Sequence, residues 1–416
     1  IKELWGIDFF WIAAIGLVVL TALYTIFGGM KSVLYTSVLQ TPILLLGSLI
    51  ILVLGFKELG GWDEMMRVCG AVTVNDYGDT MTNLIRSNDD ANFPWLGALI
   101  GSAIIGFWYW CTDQFIVQRV LSGKNEMEAR RGTIFGAYLK LLPVFLFLIP
   151  GMIAFALHQK YIGAGGEGFL PMLANGTANA DAAFPTLVAK LLPAGVKGLV
   201  VCGILAALMS SLASLFNSSA MLFTIDFYKR FKPETPEKKL VGIGQIATIV
   251  IVVLGILWIP IMRSVGDVLY TYLQDVQSVL APGIAAAFLL GICWKRTSAQ
   301  GGMWGLISGM VIGLTRLGAK VYYSNAGEVA DSTFKYLFYD MNWLFFCGWM
   351  FLFCIIVVIV VSLATEAPTA EKIQGLVFGT ATKEQKAATR ASWNHWDIIH
   401  TVIILAITAA FYWYFW

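Results

Sequence analysis

Charge is scarce in this sequence: Asp, Glu, Lys and Arg make up only 13% of its 416 residues, about half the share usual in a water-soluble domain. With 58% hydrophobic residues beside that shortage, the solvent of the folded chain is lipid. The formal charge of +2 says little by itself, and no nucleic-acid surface is indicated. Cysteine is sparse and scattered. Cys69, Cys111, Cys202, Cys293, Cys347 and Cys354 form neither a zinc nor a disulfide framework, and only Cys69 is expected in a long polar loop. The histidines, His158, His395 and His400, stand near expected membrane interfaces without metal-ligand spacing, and interfacial packing is the expected reading. No nucleophile–base constellation is present, which leaves no enzyme reading. Gly163–Gly168 fits the dinucleotide-binding spacing, but no strand precedes it and it falls in an expected external loop. Asn175-Gly-Thr177 fits a glycosylation acceptor, relevant only to a eukaryotic source. Initiator Met and signal peptide are both lacking: position 1 is Ile and a hydrophobic helix starts almost at once, so earlier segments are expected to precede it.

What the chain has in abundance is apolar runs long enough to cross a hydrocarbon core of ~30 Å, which takes about 20 residues. Ten are expected, over about 7–27, 34–56, 95–118, 133–157, 196–226, 240–262, 267–292, 300–318, 342–364 and 396–415. With Lys140 set inside a helix, 16 basic residues fall on one side, in short loops such as Lys124–Arg131 and Lys229–Lys239. The other side has 11, mostly in long loops that also carry acids such as Asp76, Asp79, Asp89 and Asp90. The first side is therefore expected to be cytoplasmic. The loops over about 57–94 and 158–195 are then external. Gly is also abundant, at 41 residues, which suits helices packed backbone to backbone in a bilayer.

Polar residues at bilayer depth carry the functional information, because an unpaired polar group there is costly. Lys140 must either snorkel to the interface or meet a polar partner. Ala207, Ser210, Ser211, Ser214 and Asn217 recur at spacings of three and four and make one small, polar stripe. That stripe serves either close helix packing or sodium, a hard cation satisfied by hydroxyls and freed backbone carbonyls. Trp108-Tyr109-Trp110-Cys111-Thr112-Asp113-Gln114 reads either as an interfacial aromatic belt or as rings and polar groups for a neutral sugar. In Tyr270–Ser278, Gln274, Gln277 and Ser278 share a face, where amides could bridge helices or bind hydroxyls.

These segments resemble the sodium/solute symporter family, in particular its sodium/glucose cotransporter branch. The resemblance runs in order through Thr21–Gly29, Trp108–Arg119, Tyr138–Leu141, Phe184–Val188, Leu208–Ser218, Phe223–Asp226, Ala281–Ala286 and Trp294–Arg296. It covers about 21–305 and weakens beyond. It implies an all-α integral membrane protein with an inverted, leucine-transporter-like repeat of five plus five helices, the first repeat incomplete, and extra C-terminal helices. On that plan 1–56 holds the last two helices of the first repeat, 57–94 an external loop, 95–292 the complete second repeat and 293–416 peripheral helices.

The resemblance further implies sodium as coupling ion, a small sugar as solute, no other cofactor and a multi-pass place in the cell membrane. Residue by residue, Tyr109 matches the tyrosine under the sugar at the inner gate and Trp110 its neighbour. Lys140 matches a lysine reaching sugar hydroxyls, Gln274 a glutamine bonding the sugar, and Tyr270 an aromatic outer gate. Ala207, Ser210 and Ser211 match one helix's share of a sodium site. Two departures stand out. Ser37 occupies a position where many members carry an Asp, and Ala213 one where two-sodium members carry a hydroxyl, so one sodium per cycle is expected. Symport of myo-inositol, of a carboxylate, proline or an anion, and a solute-sensing module remain alternatives.

Overall fold

In lipid every backbone N–H and C=O must find its partner within the protein, which for apolar runs of this length means helix. The computed structural model describes residues 9–173, 176–263, 269–325 and 330–415, and they are overwhelmingly helical. In chain order the longer helices are α1 (Phe9–Leu59), α2 (Trp62–Gly70), α3 (Trp95–Cys111), α4 (Gln114–Leu121), α5 (Glu126–Pro143), α6 (Ile149–Gly163) and α7 (Ala183–Leu191). They continue as α8 (Ala194–Met221), α9 (Glu237–Arg263), α10 (Leu269–Cys293), α11 (Ala299–Asn325), α12 (Trp343–Ala364), α13 (Lys383–Ala391) and α14 (His395–Tyr414). Wide π-helical turns occupy Val144–Leu148, Leu222–Tyr228 and Tyr336–Asp340.

Among the described residues eight helices are long and apolar enough to span a membrane, or nine if α3 and α4, bent by 47°, count as one broken span. The eighth expected run, over 300–318, is the helix α11, but it is not among those eight helices; Arg316 and Lys320 lower its hydropathy. Three other expectations are corrected. The gap between the first two runs is not a loop, because α1 is helical throughout. It does bend: Tyr24 and Ser37 lie thirteen residues apart on α1, roughly 20 Å in a straight helix, yet they bond Met209 and Ser210, adjacent on α8. The run over 95–118 is instead interrupted at Thr112–Asp113, where the Asp113 carboxylate caps α4 by accepting from the Phe115 N–H at 3.1 Å. Cys69, expected in a polar loop, is buried at the end of the short α2, with its thiol 3.7 Å from the Met152 carbonyl. Gly60 and Gly61, both near φ +110°, make the tight turn into that helix.

The chain forms two compact units, 1–72 with 139–267, and 73–138 with 268–416. In the first, α1 lies along α8, where Gly47 and Gly203 admit Val200 and Ile43 at close range. In the second, α10, α11 and α12 pack together and α3 joins them. The contacts fix their directions. Gly301, Gly305, Gly309 and Gly313, one per turn of α11, meet Ser362, Val358, Gly283 and Val279, so α11 runs antiparallel to α10 and α12. Gly97 and Gly101 of α3 meet Leu344, and Gly348 meets Ile100, so α3 runs parallel to α12. Ile104 and Ile105 close the core against Ala281, Ala285 and Cys347.

Candidate functional site

In the first unit the polar stripe of α8 faces α1. Ser210 is 93% buried, and its hydroxyl lies 2.5 Å from that of Ser37, while its carbonyl accepts from the Ser214 hydroxyl at 3.0 Å. Tyr24 donates to the Met209 carbonyl at 2.7 Å. Ser211, one residue on, is exposed, and Ala207 is half-buried. The structure thus brings Ala207, Ser210 and Ser211 onto adjoining faces of one helix and adds Ser37 and Tyr24 from another. The α-helix is unbroken through Ala207, so its carbonyl keeps only its second lone pair for a ligand. Ala213 is fully buried and offers no hydroxyl. Sequence reasoning named Ser37 only as a departure. Its pairing with Ser210 could not be read from residues 173 positions apart.

Lys140, also in this unit, occupies the last turn of α5 and is exposed. The first π-helical turn follows immediately after Pro143. Proline interrupts the α ladder there, and π turns in helices frequently accompany functional positions.

In the second unit Tyr109 and Trp110 sit on the last turn of α3, just before the Thr112–Asp113 break. Tyr109 is half-buried and meets Trp110 edge to face, with ring centroids 5.2 Å apart at 88°. Trp108 lies on its other side at 6.2 Å. Trp110 is about half exposed. The Trp108 carbonyl accepts from the Thr112 hydroxyl at 2.7 Å and from the Asp113 N–H at 3.1 Å, which terminates α3 beneath the aromatic group. Gln274 is half-buried on α10, near the end at which α3, α10 and α12 begin, whereas Tyr109 stands near the other end of α3. Tyr270 belongs to the first turn of α10, and its side chain lies outside the described residues, as does Asn175 of the glycosylation acceptor. Ser278 does not join Gln274 on an accessible face: it is fully buried and its hydroxyl donates to the Asp275 carbonyl at 2.6 Å.

Sequence reasoning overlooked the neighbour of Gln274. Asp275 is buried, with Oδ1 3.5 Å from Arg316 Nη2 and Oδ2 2.5 Å from Lys320 Nζ. The signal was an acid in one apolar run and bases in the next, but 41 and 45 residues separate them. The histidines behave as packing groups. His158 is buried and its Nδ1 accepts from the Leu170 N–H at 3.0 Å, and His400 meets Tyr138 edge to face.

With the geometry described, comparisons with known proteins place the chain. The sequence model of the sodium:solute symporter family matches residues 1–309. The sodium/mannose cotransporter of Bos taurus is 34% identical over 98% of this chain and 72% of its own length. The sodium/myo-inositol cotransporter 2 of Homo sapiens is 35% identical over 89% of this chain, and the sodium/glucose cotransporter 1 of Ovis aries 37% identical over 87%. The chain spans little more than half the length of those last two, 56% and 57%. The fold is that of a solved Na+-coupled sialic acid symporter, at a TM-score of 0.65 and 20% identity, covering 89% of this chain and 70% of that one. The all-helical membrane architecture, the match over 1–309 and the similarity to sodium-coupled cotransporters lead to one statement: this chain belongs to the sodium:solute symporter family.

Proposed function

We propose that the protein couples sodium entry to uptake of a monosaccharide or a closely similar polyol, with one sodium per solute. The observation that carries this reading is the similarity, along nearly the whole chain, to sodium cotransporters for mannose, glucose and myo-inositol. The residues fit that chemistry. A neutral, hydroxylated solute is held by an aromatic face and by hydrogen-bonding side chains, the roles proposed for Tyr109 with Trp110, and for Lys140 and Gln274. Sodium would use the Ser210 and Ser211 hydroxyls and the Ala207 carbonyl. Tyr270 would close the outer side.

Coupling needs sodium to favour one conformation over another, since a ligand shifts an equilibrium only by its differential affinity. Sodium at α8 would favour the outward-open arrangement, in which Lys140 and Gln274 are available. Its release to a low-sodium cytoplasm would free the inner gate at Tyr109. One charge crossing ~100 mV supplies about 2.3 kcal/mol and a tenfold gradient about 1.4 more, enough for roughly 500-fold accumulation.

The decisive experiment is sodium-driven uptake by the full-length protein in proteoliposomes, with glucose, mannose, galactose, myo-inositol, proline and a monocarboxylate as competitors. Competition by the sugars or the inositol alone supports the reading, and competition by proline or the carboxylate alone overturns it.

A further inference from the structure

We propose that Asp275, held by Arg316 and Lys320, is a positioning residue for solute binding: it clamps the first turns of α10, and with them Gln274, onto α11. The Arg316 side chain is fully buried, and its two terminal nitrogens donate within this unit while Nε has no hydrogen-bond partner. Nη2 reaches Asp275 Oδ1 at 3.5 Å and the Met341 carbonyl at 2.8 Å, Nη1 reaches the Leu337 carbonyl at 3.4 Å, and the guanidinium stacks 4.0 Å over the Phe346 ring. Lys320, one turn further along α11 and partly exposed, holds the other oxygen of the same carboxylate. A charged group is buried in a membrane protein only when it is paired and when its place matters.

The rest of α10 does not need such a clamp. From Val279 onward it is held by backbone-close packing, with a Cβ on Gly309 reaching 3.0 Å from the Gly283 Cα and one on Gly313 reaching 2.7 Å from the Val279 carbonyl. The first turns lie beyond that contact. Where they join it the ladder is weakened, because Pro282 has no N–H to give the Ser278 carbonyl and so removes one rung. Ser278 bonds back to the Asp275 carbonyl, within the same weakened segment. The one charged anchor of these turns among the described residues therefore stands directly beside the glutamine assigned to the solute. Consecutive residues point about 100° apart on a helix, so Asp275 can be tied to α11 while Gln274 faces elsewhere.

The inference rests on the reading of Gln274 as a solute ligand, and the experiment separates the two. Full-length protein in proteoliposomes would be compared as wild type, Gln274→Ala, Lys320→Met, Asp275→Asn and Asp275→Glu. Sugar uptake would be read alongside hydrogen exchange of the segment Leu269–Val279. If the competent orientation falls to a tenth of its population, the apparent KM rises about tenfold. Lys320→Met and Asp275→Asn are expected to raise the solute KM in that manner at unchanged sodium half-saturation, and to speed exchange in Leu269–Val279. Asp275→Glu is expected to restore both. Lys320→Met leaves the Asp275–Arg316 pair intact and decides the matter if Asp275→Asn fails to fold. Wild-type KM and exchange in Lys320→Met overturn the clamp, as does a loss of Vmax alone. If Gln274→Ala leaves uptake unchanged, the solute reading fails, and the exchange measurement still judges the clamp.

Discussion

The side chains assigned to the solute differ in what their removal should cost. A neutral hydrogen bond contributes about 1 kcal/mol and a charged one about 1.5–3, so Gln274→Ala should raise the solute KM roughly fivefold and Lys140→Ala by ten- to a hundredfold. Steady-state uptake at saturating sodium would show both. Ser211→Ala should raise the sodium half-saturation with little change in solute KM, measured by uptake against sodium concentration. In the segment between α2 and α3, Asp79 accepts from Asn75 Nδ2 at 2.8 Å and the Ser87 N–H at 2.7 Å, and these bonds hold its carboxyl below the ordinary carboxylate range. A depressed value stabilises the folded loop fully above the unfolded value of about 3.9 and loses that support as pH falls through the lower folded one. Hydrogen-exchange protection of residues 73–94, corrected for the intrinsic pH dependence of exchange, should therefore fall on acidification below about pH 4, and Asp79→Asn should weaken that fall, the share of Asp90 remaining. Most of the candidate site residues, Lys140, Ser210, Ser211 and Gln274 among them, are visible in the sequence because each is polar in an apolar run. It hid their partners, since nothing local links Ser210 to Ser37 or Asp275 to Arg316 and Lys320.

Helices are where apolar length speaks most directly and where its silence is also clearest. The runs at 240–262 and 342–364 became α9 and α12 with little displacement. Gly28 and Gly29, in the gap between the first two expected runs, are helical, because a glycine lowers helix propensity without removing a donor. Asp113, read in the sequence as part of an aromatic belt or of a polar group for a sugar, caps a helix at a real break. The π-helical turns leave no trace in hydrophobic periodicity. Along α11 the glycines separate into two kinds. A Cβ at Gly309 meets the Gly283 backbone at 3.0 Å, whereas one at Gly318 meets nothing within 4 Å. Gly309→Val should lower stability by about 1–3 kcal/mol through overpacking, and Gly318→Ala should be neutral or slightly stabilising. Thermal unfolding in detergent would register the contrast.

The two packing units do not follow chain order, since each gathers an early and a late stretch. Family membership was legible from motifs spread over 21–305, whereas this grouping was not, because it depends on which helices meet rather than on where they begin. A stoichiometry of one sodium is expected from Ser37 and Ala213, and flux ratios in proteoliposomes that gave two sodiums per solute would sink it. The helix α5 carries the boundary between the units, at residues 138 and 139, and passes through the wide turn Val144–Leu148 into α6. A wide turn stores one residue more than an α turn. Deleting a single residue there would leave an uninterrupted helix and yet rotate Lys140 by about 100° relative to α6. The length of this chain between Pro143 and Ile149 is thus a setting of angle for the turn that carries Lys140.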